Sequence, residues 1–151
     1  MFWKSGVIRK ICTSPKAAET RGVMKLVHDG VNIAKQLCIL MKDDVSLRVF
    51  TDSRPLLESI GSSNQVAEKA LRQSVVSLKQ TLEDGDVESF SWIEGKDIVA
   101  DILTKQGSKR EALDEVMKGN IIENALDDNN LVNYRNGEIL ISNLTTKSTK
   151  G

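Results

Sequence analysis

The chain has 151 residues, and its 21 Lys and Arg are balanced by 21 Asp and Glu, so its formal net charge is zero. This length suits one domain with an appendage. The balance excludes attraction of nucleic acid by an overall positive field and leaves only a local basic face. No apolar run reaches membrane-spanning length and no signal core opens the chain. We expect no membrane contact and a soluble, intracellular protein, cytoplasmic or nuclear, with reduced, buried thiols at Cys12 and Cys38.

The first third of the sequence predicts a strand followed by a long helix. Residues 2–12 mix β-branched and aromatic residues in partial alternation, which is typical of a strand or one arm of a hairpin. Ser14 offers an N-cap oxygen, and Pro15 fits the first helical position, where its missing N–H costs nothing. Apolar residues then recur at helical spacing until residues 43–44, so one stripe is expected to face a core. The stripe comprises Val23, Leu26, Val27, Gly30, Val31, Ala34, Leu37, Cys38 and Met41.

The middle of the sequence alternates strand and helix signals. The predicted elements are a strand over 47–50, a brief helix capped by 52–55 and ending at Gly61, a helix over 64–84, a strand over 87–93 and a helix over 97–103. Gly85 fits the position after a helix end, where a left-handed conformation is common. In the second strand, Phe90 and Trp92 share one side, with Ser89 and Ser91 on the other. This order predicts an α/β fold with helices packed on a sheet.

The sequence changes character near residue 107. Residues 108–111 (SKRE) form a capping box before a short amphipathic helix, and residues 120–133 are polar and acidic. An Asn136-Gly137 pair predicts a hairpin, and the last residues, from 145, are expected to be disordered. We therefore divide the chain into a domain over 1–107 and an extension over 108–151, with residues 120–151 apart from the core. The alternative is that the strand over 138–141 pairs with the sheet.

Three carboxylates are placed on the ends or faces of predicted core elements. Asp52 ends a strand, at the edge where open α/β sheets hold their ligands, although capping of the next helix is an equally weighted explanation. Glu19 lies in the first turn of the long helix, where a carboxylate also stabilises the helix dipole. Asp101 follows Ala100 in a helix with a buried face. If the three converge, they form a site for divalent metal.

The same residues carry a resemblance to a known family. Residues 13–19 (TSPKAAE) resemble its Ser-Thr-x-Ala-Glu helix start, and residues 50–53 (FTDS) resemble its Asp-Asn or Asp-Ser strand end. Residues 92–105 resemble its closing motif, most specifically in ADILTK over 100–105. The chain thus resembles the ribonuclease H domain of a copia-type retrotransposon Pol polyprotein, from residue 2 to about residue 110. The fold implied is a mixed sheet flanked by helices.

The resemblance implies a site and also a gap in it. Glu19, Asp52 and Asp101 correspond to the second, third and fourth of the family's four metal-binding carboxylates. The first ligand lies on an opening strand that precedes this sequence, so the first two strands of the family sheet are expected to be absent. The implied chemistry is hydrolysis of the RNA strand of an RNA–DNA hybrid with two Mg²⁺ ions. The implied partners are the hybrid and the upstream reverse transcriptase portion of the polyprotein.

Two further readings follow for the rest of the sequence. With the first ligand missing, the isolated chain is expected to be inactive, so whether it is an enzyme stays open. The alternative is a non-catalytic domain, derived from the retrotransposon, that binds protein or nucleic acid. His28 is interpreted as a surface residue without a catalytic role. Lys69, Arg72 and Lys79 fit phosphate contacts, but a solvated helix face is favoured two to one.

Overall fold

The structure is a computed structural model that describes residues 12, 14–62, 66, 69–95, 98, 111–118 and 131–142. Its elements in chain order are α1 (Pro15–Met41), β1 (Arg48–Thr51), α2 (Arg54–Gly61), α3 (Lys69–Glu83), β2 (Ser89–Trp92), α4 (Glu111–Met117), β3 (Leu131–Arg135) and β4 (Glu138–Ser142). The α/β class expected from the sequence is confirmed. The predicted strand over 2–12 (Cys12 apart), the predicted helix over 97–103 (Ile98 apart) and the predicted disordered end lie outside the described residues.

Four strands form a mixed sheet in the order β1-β2-β3-β4. β1 and β2 are parallel and are connected through α2 and α3, whereas β3 and β4 are antiparallel to their neighbours. Val49 pairs with Phe90, and Phe90 pairs with Val132, so these three side chains point from the same face. All three are buried in one cluster with residues of α1, α2 and α3. In the described part of the chain, the helices therefore cover that face of the sheet.

Local sequence signals determine where α1 begins. Ser14 caps the helix, and its Oγ accepts a hydrogen bond from the backbone N–H of Ala17 at 3.1 Å. Pro15 occupies the first turn, as predicted. Lys42 ends the helix in a left-handed conformation at φ 55°. A helix of 27 residues results, although no described helix is both long and apolar enough to cross a membrane.

The predicted apolar stripe of α1 is only partly buried. Val23 and Val27 lie in the core, but Leu26, Leu37 and Met41 are exposed by 54%, 37% and 61%. At 1.5 Å per residue α1 is about 40 Å long, whereas a four-residue strand extends about 13 Å. Gly30 already packs against Leu47, just before β1, so the last turns of α1 extend past the strands. The stripe prediction was wrong at Leu26, Leu37 and Met41.

Helices α2 and α3 provide seven of the 15 buried hydrophobic residues in the described part of the chain. Leu56, Leu57 and Ile60 of α2 are fully buried. The predicted face of α3 is confirmed where it is described, by the burial of Leu71, Val75, Leu78 and Leu82. Gly85 follows α3 with φ 75°, as its position after the helix predicted. Ser89 and Ser91, on the opposite face of β2, are buried as well.

The C-terminal hairpin belongs to the sheet. β3 and β4 turn at Asn136 and Gly137, both with positive φ, which confirms the predicted hairpin. Val132 is 1% exposed and pairs with Phe90. The expectation that residues 120–151 lie apart from the core is therefore wrong for residues 131–142. The docked alternative holds, although β3 rather than the 138–141 strand contacts β2, and the division into 1–107 and 108–151 stays a prediction.

Candidate functional site

Asp52 lies at the carboxyl edge of the two parallel strands. β1 and β2 end together, because Thr51 pairs with Trp92 and the backbone N–H of Ile93 donates to the carbonyl of Thr51 at 3.0 Å. Asp52 follows directly and is exposed. The N-cap of α2 is Ser53, without a side-chain cap hydrogen bond. Capping of α2 therefore does not explain Asp52, and its carboxylate faces the sheet edge where ligands are bound in such folds.

Glu19 is connected to this edge through Ser53. The Ser53 hydroxyl is buried and donates to Glu19 Oε2 at 2.5 Å, while its backbone N–H donates to Thr51 Oγ1 at 3.1 Å. The next residue of α1, Thr20, is fully buried and fixes the helix against the core. Glu19 and the residue after Asp52 are thus in direct contact, although 34 positions apart.

The position of Glu19 in its helix differs from the prediction. It is the fifth residue of α1, and the first turn contains no acidic residue. Because the helix dipole acts mainly on charges in the first turn, it gives little reason for a carboxylate at this place. The hydrogen bond from Ser53 is the interaction that holds Glu19.

The segment after β2 passes beside Asp52. A Cβ built on Gly95 would lie 3.6 Å from Asp52 Oδ2, which is van der Waals contact. The backbone N–H of Ile98 donates to the carbonyl of Gly95 at 3.3 Å, so the chain turns there. Asp101 comes three residues later and lies outside the described residues. Its convergence with Glu19 and Asp52 stays a prediction.

Arg54 and Trp92 form the other half of the edge. The guanidinium carbon of Arg54 lies 4.1 Å from the centroid of the Trp92 ring. The indole Nε1–H donates to the backbone carbonyl of Asp52 at 3.2 Å, which fixes the ring beside the strand end. The site therefore combines two carboxylates with a stacked cation. Sequence reasoning missed this pair and Ser53, because their contacts join segments that are 34 to 40 residues apart.

The remaining predicted site residues lie elsewhere or have other contacts. The His28 side chain is 79% exposed, which confirms a surface position. Arg72 Nε donates to the carbonyl of Val66 at 2.8 Å, and Lys79 Nζ binds the carbonyl of Ser62, so these two cations stabilise the start of α3. Lys69 is exposed. Phosphate contacts of the three stay a prediction.

The two cysteines differ slightly from expectation. Both are free thiols, as predicted, but both are only partly buried. Cys38 Sγ accepts a hydrogen bond from the backbone N–H of Val45 at 3.3 Å, and Cys12 Sγ accepts from Arg21 Nη1 at 3.5 Å. They have structural contacts near the two ends of α1.

Glu19 and Asp52 supply oxygen ligands of the kind that Mg²⁺ prefers. Glu19 Oε2 is occupied by Ser53, and no hydrogen bond to the Asp52 carboxylate is found among the described residues. Within that part of the chain, no group of three or more His, Cys, Asp or Glu side chains is placed to hold a metal ion. The donor set fits Mg²⁺ in chemistry and requires a further ligand.

Comparison of the chain with protein-family models, curated proteins and solved structures found no match.

Proposed function

We propose that this chain is a ribonuclease H-like domain of copia-type retrotransposon origin, which hydrolyses the RNA of RNA–DNA hybrids when the upstream strand completes it. One observation carries the proposal: Asp52 at the end of β1 and Glu19 on α1 are coupled through Ser53 at one sheet edge. The sequence motifs around Glu19, Asp52 and Asp101 also support the proposal.

Each residue has a role in this proposal. Asp52 and Asp101, with Glu19, would hold two Mg²⁺ ions, which supply an activated water and stabilise the leaving oxygen when bound. Ser53 orients Glu19 by donating to Oε2, which leaves Oε1 for a ligand. Gly95, six residues before Asp101 in the sequence, passes beside Asp52, which supports including Asp101 in the set. Recognition of a hybrid would depend on groove shape and 2′-OH contacts.

The second candidate is a non-catalytic domain that binds protein or nucleic acid. Its protein-binding form is favoured by the zero net charge, because no overall positive field attracts nucleic acid. The two candidates differ in whether cleavage appears once an upstream aspartate-bearing strand is present.

A cleavage assay separates them. A fluorescently labelled RNA–DNA hybrid is incubated with Mg²⁺ and either this chain or a version extended upstream along its reading frame. We expect no cleavage by this chain and cleavage by the extended version that Asp52→Asn abolishes. The matched control is Asp43→Asn, an exposed aspartate after α1, which leaves cleavage unchanged. An extended version that binds the hybrid without cleaving it contradicts the nuclease and supports the binding domain.

A further inference from the structure

The stacked cation at the candidate site has no role in the chemistry described so far. Arg54 is the first residue of α2, two positions after Asp52. Its guanidinium lies over Trp92 at 4.1 Å, and the indole is itself fixed to the Asp52 carbonyl. This is an Arg–Trp cation–π contact in which α2 holds Arg54 and the hydrogen bond to Asp52 holds Trp92. The cation is therefore pre-positioned at the edge where β1 and β2 end.

Arg54 uses its charge in the contact with Trp92 and, among the described residues, in no ion pair. In the part of the chain that the structure describes, ion pairs connect Lys35 with Asp86 and Arg48 with Glu88, but none includes Arg54. The half-buried side chain keeps its planar group against the ring, and stacking leaves the N–H donors at the rim of that plane. Those donors suit a planar or tetrahedral oxyanion that approaches from the side.

The neighbouring charges decide how an oxyanion can bind. The carboxylates of Glu19 and Asp52 lie at the same edge and repel carboxylate and phosphate ligands alike, so an anion at this edge needs a bound cation beside the carboxylates. A phosphodiester has oxygens enough to contact a guanidinium on one side and a carboxylate-bound Mg²⁺ on the other. The Trp92 ring, which is only partly buried, also suits contact with a nucleotide base or sugar.

We propose that Arg54, held on Trp92, binds a backbone phosphate of the nucleic acid strand that is held at the carboxylates. The inference depends on the proposed function for the identity of the strand, an RNA–DNA hybrid. The arrangement itself comes from Arg54, Trp92 and Asp52. Arg54 is thus a substrate-binding residue that positions the strand over the site.

The test is hybrid binding by the full chain, measured by fluorescence anisotropy with a labelled RNA–DNA hybrid across a series of salt concentrations. Arg54→Ala is expected to weaken binding about 10-fold at low salt and to reduce the salt slope by about one phosphate contact. Arg54→Lys keeps the charge but loses the planar fork, so intermediate affinity is expected. The control is Lys35→Ala, which removes an exposed cation paired with Asp86 and leaves affinity unchanged.

A second readout separates binding from folding. In a Trp3→Phe background Trp92 is the only tryptophan, and hybrid addition is expected to change its emission. Arg54→Ala should lose most of that change while its thermal unfolding midpoint stays near that of the parent. If Arg54→Ala binds with the parent's affinity and salt slope, or if the parent binds neither a hybrid, duplex DNA nor single-stranded RNA, the inference is overturned.

The result is distinguishable from failure of the proposed function. Arg54-dependent binding together with no cleavage by the extended chain would refute the nuclease and leave the phosphate site intact. Cleavage that Asp52→Asn abolishes and Arg54→Ala leaves at full rate and affinity would refute the phosphate site alone.

Discussion

Gly61→Ala is expected to destabilise the protein through the C-terminal hairpin. Gly61 ends α2, and a Cβ built there would lie 2.1 Å from Ile141 Cγ1 and 2.2 Å from Cδ1, across to β4. Carbon atoms pack at about 3.5–4.0 Å, so the Ile141 side chain or the hairpin must move by about 1.5 Å. Overpacking of this kind costs about 1–3 kcal/mol.

Within the helix alone, the same substitution would increase the free energy of unfolding. Alanine is better than glycine inside a helix by about 1 kcal/mol, and less at a terminal residue. Ile141 is 39% exposed, so its side chain has room to turn away from the added Cβ, and the cost of the clash stays near the lower end of the overpacking range. With the hairpin docked, we expect a net loss of about 1 kcal/mol in the free energy of unfolding. For a chain of this size that is a fall of about 2–4 °C in Tm. Chemical and thermal denaturation followed by circular dichroism measure both values.

Two further variants complete the experiment. Ile141→Ala removes the clashing atoms, so the Gly61→Ala/Ile141→Ala pair is expected to recover about 1–2 kcal/mol relative to additivity. Gly22→Ala is the control, because nothing lies within 4 Å of its added Cβ in α1, and it should raise stability by about 0.5–1 kcal/mol. If Gly61→Ala is as stabilising as Gly22→Ala, the hairpin does not pack on α2.

Three other changes test one contact at the site and two contacts elsewhere in the fold. Ser53→Ala removes the hydrogen bond to Glu19 and should lower the free energy of unfolding by about 1–2 kcal/mol in urea melts. The control is Ser59→Ala, whose exposed hydroxyl bonds only within α2 and whose loss should cost about 0.5 kcal/mol or less. Equal losses for the two variants would show that the Glu19 contact is unimportant. Ser14→Ala removes the N-cap of α1 and should cost about 1 kcal/mol in the same measurement, and an unchanged midpoint would contradict the cap. The hydrogen bond from Arg48 lowers the pKa of Glu88 below 4.5, so the stabilisation by this pair is present above about pH 4.5 and is lost as pH falls through the folded-state pKa. The difference in stability between wild type and Glu88→Gln should therefore vanish in acid. A difference that grows toward low pH would refute the ion pair.

Local signals predicted most of the elements correctly. Ser14 and Pro15 begin α1, Gly85 follows α3, and Asn136-Gly137 forms the turn between β3 and β4. Each depends on a residue's own backbone preference, so the neighbouring sequence contains the information.

Long-range contacts were harder to predict. Whether Leu26 and Leu37 are buried depends on how far the sheet extends under α1. The helical spacing of apolar residues carries no information about that distance. Docking of β3 on β2 depends on an edge formed 40 residues earlier. At the site, the sequence indicated Asp52 and Glu19, but the Ser53 bond and the Arg54–Trp92 stack appear only once β1, α1 and β2 are assembled.

The central claim is that Glu19, Asp52 and Asp101 form one metal site. Titration of the ¹⁵N-labelled chain with Mn²⁺ tests it directly, because the paramagnetic ion broadens amide signals near its binding place. We predict that the first signals to broaden are those of Thr20, Ser53 and Gly95, which adjoin the two described carboxylates. Asp101→Asn should weaken that broadening, whereas Asp43→Asn should not. Broadening centred on other acidic residues, or indifferent to Asp101→Asn, would contradict the claim.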